Sequence, residues 1–360
     1  MRYKQDLFEA AVALLRQLIA TPSFSREEHE TAILIEQFLQ RNGIPSKRVG
    51  NNVYAFNQHY SAGKPTLLLN SHHDTVKPNK AYTRNPFEPD IEAGKLFGLG
   101  SNDAGGCLVA LLAAFVCYFP VQNLPFNIAF AASAEEEISG SNGIEMVLPH
   151  LGNIDCAIVG EPTLLQLAVA ERGLMVIDAV AEGVAGHAAR NEGINALYIA
   201  LQDIETIRNL RFEKVSELLG ETRMSVTVVE TDNKQHNVVP SLCRFVVDVR
   251  VNECYTFEEI IEQVTARVKS KLTPRSMRLR STGIALTHPL VAAGMQLGAT
   301  CYGSPTTSDK ALMPFPALKS GPGDSARSHM ADEYIFVHEI EAGVDFYINL
   351  IAGYGKCLGT

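Results

Sequence analysis

None of the seven cysteines falls in a C-x-x-C pair, and their odd number excludes a complete set of intrachain disulfides. Reduced, buried thiols in a cytoplasmic protein are the expectation. No apolar run approaches the roughly 20 residues of a membrane span; the longest covers residues 108–119. The opening residues 1–6 lead into an amphipathic pattern without a signal-peptide core. Internal repeats, low-complexity tracts and charged linkers are also missing. Basic charge is in deficit, with a formal net charge of −9, so neither nucleic acid nor an anionic membrane is expected as the main partner.

What remains is ordinary globular composition, 46% hydrophobic and 20% charged over 360 residues. That length exceeds the size at which single cores stop growing, so two domains are expected. Helical spacing covers residues 7–19 and, after Thr21-Pro22-Ser23, residues 27–42. Apolar strands at 66–70, 127–132 and 156–159 alternate with a helix at 106–118. This order predicts a largely parallel mixed sheet covered by helices, with sites beyond the carboxyl ends of its strands.

From residue 171 to about 283 the pattern changes to strand (175–180), helix (194–209), strand (225–230), strand (243–251), helix (257–269) and strand (276–282). That β-α-β-β-α-β order is ferredoxin-like and reads as an insertion. Helical patterns resume at 290–297 and 337–351. The expected division is therefore a discontinuous α/β catalytic domain, 1–171 with 284–360, interrupted by a lid at 172–283.

Five short segments carry the chemistry: Ser71-His72-His73-Asp74, Ser101-Asn102-Asp103, Glu135-Glu136-Glu137, Gly160-Glu161-Pro162 and Ser328-His329. Taken singly, each has a plain structural explanation: a polar strand end, a helix N-cap aspartate, an acidic loop or a surface histidine. Together they supply two imidazoles and three carboxylates, the donor set of a carboxylate-bridged dizinc centre. His72 and Asp74 share a face if strand geometry persists, so Asp74 can hold the ring nitrogen of His72 that is not on the metal. Adjacent glutamates repel unless a cation compensates them, and alternation lets one bind metal while its neighbour takes a proton.

With these residues in place, the sequence resembles the acetylornithine deacetylase and succinyl-diaminopimelate desuccinylase family of dinuclear zinc amidohydrolases and peptidases, along essentially its whole length. The resemblance implies two Zn2+ per subunit, replaceable by Co2+ or Mn2+, held by His72, Asp103 (bridging), Glu161, Glu137 and His329. It implies Glu136 as general base and Asp74 as the group orienting His72. It further implies a lid that dimerises and places His187, in Gly186-His187-Ala188-Ala189-Arg190, in the neighbouring subunit's site as an oxyanion donor. Asn237, Arg250 and Gly323 match substrate-facing segments, although Asn237 can simply shape a turn and Arg250 simply pair with Asp248.

The chain departs from the family pattern at Ser71, Leu99, Ala104-Gly105 and Glu135. The last leaves open a one-residue shift of base and ligand within the acidic triplet. The activity implied is removal of the acyl group from an Nα-acyl-L-amino acid, acetylornithine first, in arginine biosynthesis. Succinylornithine, acetylcitrulline and succinyl-diaminopimelate remain open. A zinc dipeptidase or aminopeptidase is the alternative, and a non-catalytic metal- or ligand-binding protein the alternative of another class.

Overall fold

The structure is a computed structural model that describes residues 4–190 and 192–358; residues 1–3, at the amino end of the segment read above for a signal peptide, lie outside them. The chain forms two compact units. One comprises Met1–Val169, Gly283–Tyr302 and Ser308–Thr360, and the other Ala170–Thr282 and Gly303–Thr307. The short segment Gly303–Thr307 departs from the division expected from sequence. It groups with the second unit because Ser304 O accepts the Arg172 N–H and Thr307 Oγ1 donates to Arg172 O.

In the first unit, strands run in the order Ser46–Val49, Asn52–Phe56, Asn127–Ser133, Thr66–His72, Cys156–Val159, Ala317–Lys319. The last four are mutually parallel. Thr66–His72 and Asn127–Ser133 are buried at every position, which is why they read as continuous apolar runs rather than alternating ones. Their side chains still alternate. Leu67 and Leu69 join a core that includes helices Lys4–Ile19, Gly106–Tyr118 and Val337–Leu358, whereas Leu68 joins the one built with helix Ile144–Leu151.

Helix Gly106–Tyr118 is apolar on all sides because all thirteen residues are buried. The 18-residue stretch Ser101–Tyr118 is long and apolar enough to cross a membrane, but 94% of it is buried inside the protein, as befits a core helix.

The second unit has a four-stranded antiparallel sheet in the order Arg223–Thr231, Leu242–Val251, Gly173–Glu182, Lys271–Pro274. Helices Ala196–Asn209 and Phe257–Thr265 complete the β-α-β-β-α-β order. Two expectations need correction. The final strand is Lys271–Pro274, not 276–282: Met277 and Leu279 alternate with Arg278 and Arg280 and so mimic a strand, but the continuous register with Gly173–Glu182 ends at Pro274, beyond which the Arg275 amide donates to Val176 O and Leu279 O accepts from Leu174 without an unbroken ladder between them. The helix expected to reach residue 269 ends at Thr265, and the Asp203 carboxylate accepts the amides of Lys269 and Ser270 beyond it.

Candidate metal centre

Three neighbouring parallel strands aim their carboxyl ends at one place. His72 closes the central strand, Glu136 and Glu137 follow the strand on one side, and Glu161 follows the strand on the other. The acidic triplet is divided by its backbone. Glu135 takes a positive φ of 54°, and its carboxylate accepts from the Asn142 side chain at 2.9 Å and backbone at 3.3 Å. The amides of Glu136 and Glu137 instead donate to the two oxygens of Asp74 at 3.0 and 3.2 Å.

His72 is buried, with Nδ1 3.0 Å from Asp74 O and 3.4 Å from Asp74 Oδ1. That partner leaves Nε2 facing the cluster, 3.3 Å from Asp103 Oδ1, 3.7 Å from Glu161 Oε1 and 4.0 Å from Glu136 Oε2. The other oxygen of Asp103 lies 3.7 Å from His329 Nε2, which is itself 2.9 Å from Glu137 Oε2. Asp103 thus stands between two donor groups, His72 with Glu161 and His329 with Glu137. His73 points away, its ring nitrogens 2.9 Å from Thr31 Oγ1 and 3.0 Å from Asn51 O.

The electrostatics of this cluster are those of an anionic bowl. Burial pushes the Glu136 carboxyl well above the usual carboxylate range, and the nearby Glu161, Asp309 and Glu137 push it the same way against His72. Burial alone would lower the His72 imidazole, but Asp103 and Asp74 outweigh it and hold the ring well above its ordinary value. Glu137 lifts His329 to about 9. Burial takes His73 the other way, down to about 4. Among the described residues, no lysine or arginine forms an ion pair with Asp103, Glu136 or Glu137. Carboxylates that converge on two imidazoles fit divalent metal, whose charge would oppose the upward shifts of Glu136, His72 and His329. Candidate donor atoms of His72, Asp103 and Glu137, and again of His72, Glu136 and Glu161, lie within 4.8 Å of one another.

Asp103 lies in an irregular segment before the buried helix, with φ −115° and ψ 98°, and its peptide to Ala104 is cis. It is therefore not the N-cap that sequence alone allowed. Gly105 follows in close quarters, since a Cβ there would sit 2.4 Å from Gly100 O. The same reasoning places Gly323, with φ +87° and a would-be Cβ 2.5 Å from Asn102 Oδ1.

The remaining anticipated residues belong to the second unit. His187 and Asn237 adjoin in a two-stranded ribbon, where Gly186–His187 pairs with Val238–Val239 and Ala188 N donates to Asn237 O. Arg250 lies at the other end of strand Leu242–Val251, about 26 Å along it from Leu242 at 3.3 Å per residue. Its Nε and Nη2 both donate to Asp248, at 2.8 and 3.1 Å. The structure thus does not bring Arg250 together with His187 and Asn237 within one chain.

Two buried carboxylates went unnoticed in the sequence. Asp309 accepts from Ser133 Oγ at 2.5 Å, and that hydroxyl accepts from Asn70, two residues before His72. Burial raises Asp309 to about 6. Glu333 accepts the amides of Gly100, Asn102 and Asp103, and its carboxyl is pushed up to about 8 by burial and by Asp103. Neither has a sequence signature, because both follow or precede ordinary polar loop residues.

A hydrolase-type donor set at the ends of parallel strands agrees with the wider comparison. Residues 68–353 match peptidase family M20/M25/M40, and the chain belongs to that family. Its members are metal-dependent hydrolases of amide bonds, and so is this protein. A succinyl-diaminopimelate desuccinylase of Rickettsia bellii is 27% identical over 277 residues, covering 71% of this chain and 70% of the relative. Among solved structures, aminopeptidase PepT of Bacillus cereus superposes with a TM-score of 0.78 at 17% identity, covering 96% of this chain and 98% of that one. A dinuclear metal-binding M20 peptidase of Bacillus subtilis superposes with a TM-score of 0.74 at 15% identity, covering 96% and 98%. These two likenesses establish the mixed α/β fold.

Proposed function

We propose that the protein removes the acyl group from an Nα-acyl-L-amino acid, using two divalent ions. The observation that carries this reading is the placement of Asp103, one oxygen toward His72 and the other toward His329. His72, Asp103 and Glu161 would hold one ion, and His329, Asp103 and Glu137 the other. Zinc suits this mixed nitrogen and oxygen set, with cobalt or manganese as substitutes. When bound, such ions polarise an amide carbonyl and acidify water.

The protein's own groups supply the rest. Glu136, beside the donor atoms with its Oε2 4.0 Å from His72 Nε2, would take a proton from the attacking water in its ionised form and pass it to the leaving amine. Asp74 fixes the ring of His72 and the backbone that carries Glu136. Amino-acid rather than peptide substrates are favoured by the relative's description as a succinyl-diaminopimelate desuccinylase, which also brings succinyl beside acetyl as the acyl group. An acyl-ornithine substrate would place the reaction in arginine biosynthesis.

A homodimer through the second unit is part of the proposal. Among the described residues, strand Arg223–Thr231 pairs on one side only, and Val228 and Val229 are 44% and 46% exposed on it, with Tyr198 and Leu201 exposed on the nearby helix. An apolar sheet edge of this kind calls for cover. In the dimer, His187 would serve the partner's site as an oxyanion donor. A cytoplasmic location accords with the buried thiols of Cys107, Cys117, Cys156 and Cys243.

The deciding experiment is hydrolysis of Nα-acetyl- and Nα-succinyl-ornithine, acetylcitrulline, succinyl-diaminopimelate and dipeptides by zinc-loaded enzyme beside a chelated control. Chelator-sensitive turnover of an acyl-amino acid is expected. Turnover of dipeptides alone would replace the reading with a peptidase, and silence across the panel with metal bound would end it.

A further inference from the structure

Asp103 sits where regular structure gives it no support. Its dihedral angles are non-helical, Gly100 before it is left-handed at φ 74°, and the helix ladder begins only at Gly106. Backbone amides in such a segment need acceptors from elsewhere. One side chain provides three of them. Glu333, 1% exposed, accepts the Gly100 amide on Oε2 at 2.9 Å and the amides of Asn102 and Asp103 on Oε1 at 2.8 and 2.9 Å. Its own carbonyl accepts from Gly98 at 2.9 Å.

Glu333 lies four residues after His329. Between them Asp332 accepts the amides of Thr83 and Arg84, both at 2.9 Å, and His329 O accepts from Asn79 at 3.2 Å. These contacts tie the His329 loop to residues 79–84, and Glu333 at its end ties it to the segment that carries the shared carboxylate.

We infer that Glu333 is the positioning residue that keeps both oxygens of Asp103 aimed, one at each metal position, so that it governs how tightly the second ion binds. This rests on Asp103 serving both ions, as proposed above. Three amides aimed at two oxygens call for the ionised carboxylate, which can accept all three protons at once and which a cation offsetting Asp103 would favour. A glutamine of the same size has one oxygen and must turn its NH2 toward at least one of those amides, which sets donor against donor. The segment then pivots, and one Asp103 oxygen loses its aim.

The test is stepwise Zn2+ and Co2+ titration of the metal-free full-length protein by calorimetry, with the visible spectrum of the Co2+ form, for wild type, Glu333→Gln, Asp332→Asn and Asp103→Ala. In Glu333→Gln the second ion should bind about tenfold or more weakly, the range typical of lost partners to metal ligands, with the first ion little changed and the Co2+ bands of the second position altered. Asp332→Asn loosens the His329 loop from residues 83–84 but leaves the Gly100, Asn102 and Asp103 amides on Glu333, so it should weaken the second ion less than Glu333→Gln does; an equal loss would assign the effect to the loop and overturn the inference. Unchanged stepwise constants and spectrum in Glu333→Gln would overturn the inference, whatever happened to thermal stability. Should that variant fail to fold, Glu333→Asp, which is one methylene too short to keep all three contacts, answers the same question. Asp103→Ala separates the two claims: if it still binds two ions with wild-type affinity, the metal assignment itself falls.

Discussion

Asp74 Oδ1 accepts the backbone N–H of Glu136 at 3.0 Å. The same atom lies 3.4 Å from His72 Nδ1, so one carboxylate steadies both a donor imidazole and the segment bearing the neighbouring glutamates. Asp74→Asn keeps the shape and replaces one acceptor with a donor. It should weaken zinc binding by about 10–100-fold and lower kcat/KM, as competition with a coloured chelator and steady-state assays would reveal. Wild-type affinity would reduce Asp74 to a packing role.

Glu136→Gln should retain two ions and lose at least ~100-fold in turnover, because general-base catalysis is worth roughly 10²–10⁴. Near-normal turnover would move the base elsewhere. The same variant tests sharing between subunits: mixed with His187→Ala subunits, it should recover activity in verified heterodimers, and no recovery there would confine each site to one chain.

Protons compete with metal at this site. In the metal-free protein Glu137 lifts His329 to about 9, and carboxylates hold His72 well above its ordinary value, so both rings are charged at neutral pH and must lose their protons to serve as ligands. Ion binding at pH 7 should therefore release protons, measured by calorimetry in buffers of different ionisation enthalpy. Apparent affinity should fall by about tenfold per pH unit for each proton displaced. His329→Gln should bind one ion tightly and release fewer protons; an unaltered proton count would show that His329 is no ligand.

His73 gives a pH dependence of opposite origin. Burial lowers it from an ordinary 6.5 to about 4 in the folded protein. Between those values the unfolded chain binds the extra proton, so the stability that neutral His73 contributes is complete above pH 6.5 and is lost as pH falls through about 4. The full span corresponds to roughly 3 kcal/mol. Urea unfolding of metal-free wild type and His73→Gln across pH 4–7 should show the wild type losing more by up to that amount. Parallel pH profiles would remove the effect.

The strands at Thr66, Asn127 and Cys156 were legible because buried parallel strands are written as apolar runs, and helix Gly106–Tyr118 because it is apolar on every side. The hairpin Ser46–Phe56 was not, since Lys47, Arg48 and Asn52 interrupt any alternation. Strand Lys271–Pro274 was masked by a better-looking pattern just beyond it. At the site, His72, Asp103, Glu136, Glu137, Glu161 and His329 could be singled out because histidines and acids beside strand ends are unusual and their conjunction more so. Glu333 and Asp309 could not. Their meaning lies in amides and hydroxyls more than a hundred residues away in sequence, and nothing local marks a carboxylate that will be buried among donors.

The order of the three central strands sets a scale for the whole centre. Neighbouring strands in a hydrogen-bonded sheet stand about 4.8 Å apart, and here that interval separates the origins of His72, of Glu136 with Glu137, and of Glu161. The spacing between donor groups is thus inherited from backbone hydrogen bonds, which no side-chain substitution removes. Changes in the surrounding loops can alter what fits over the centre while its internal ruler stays fixed.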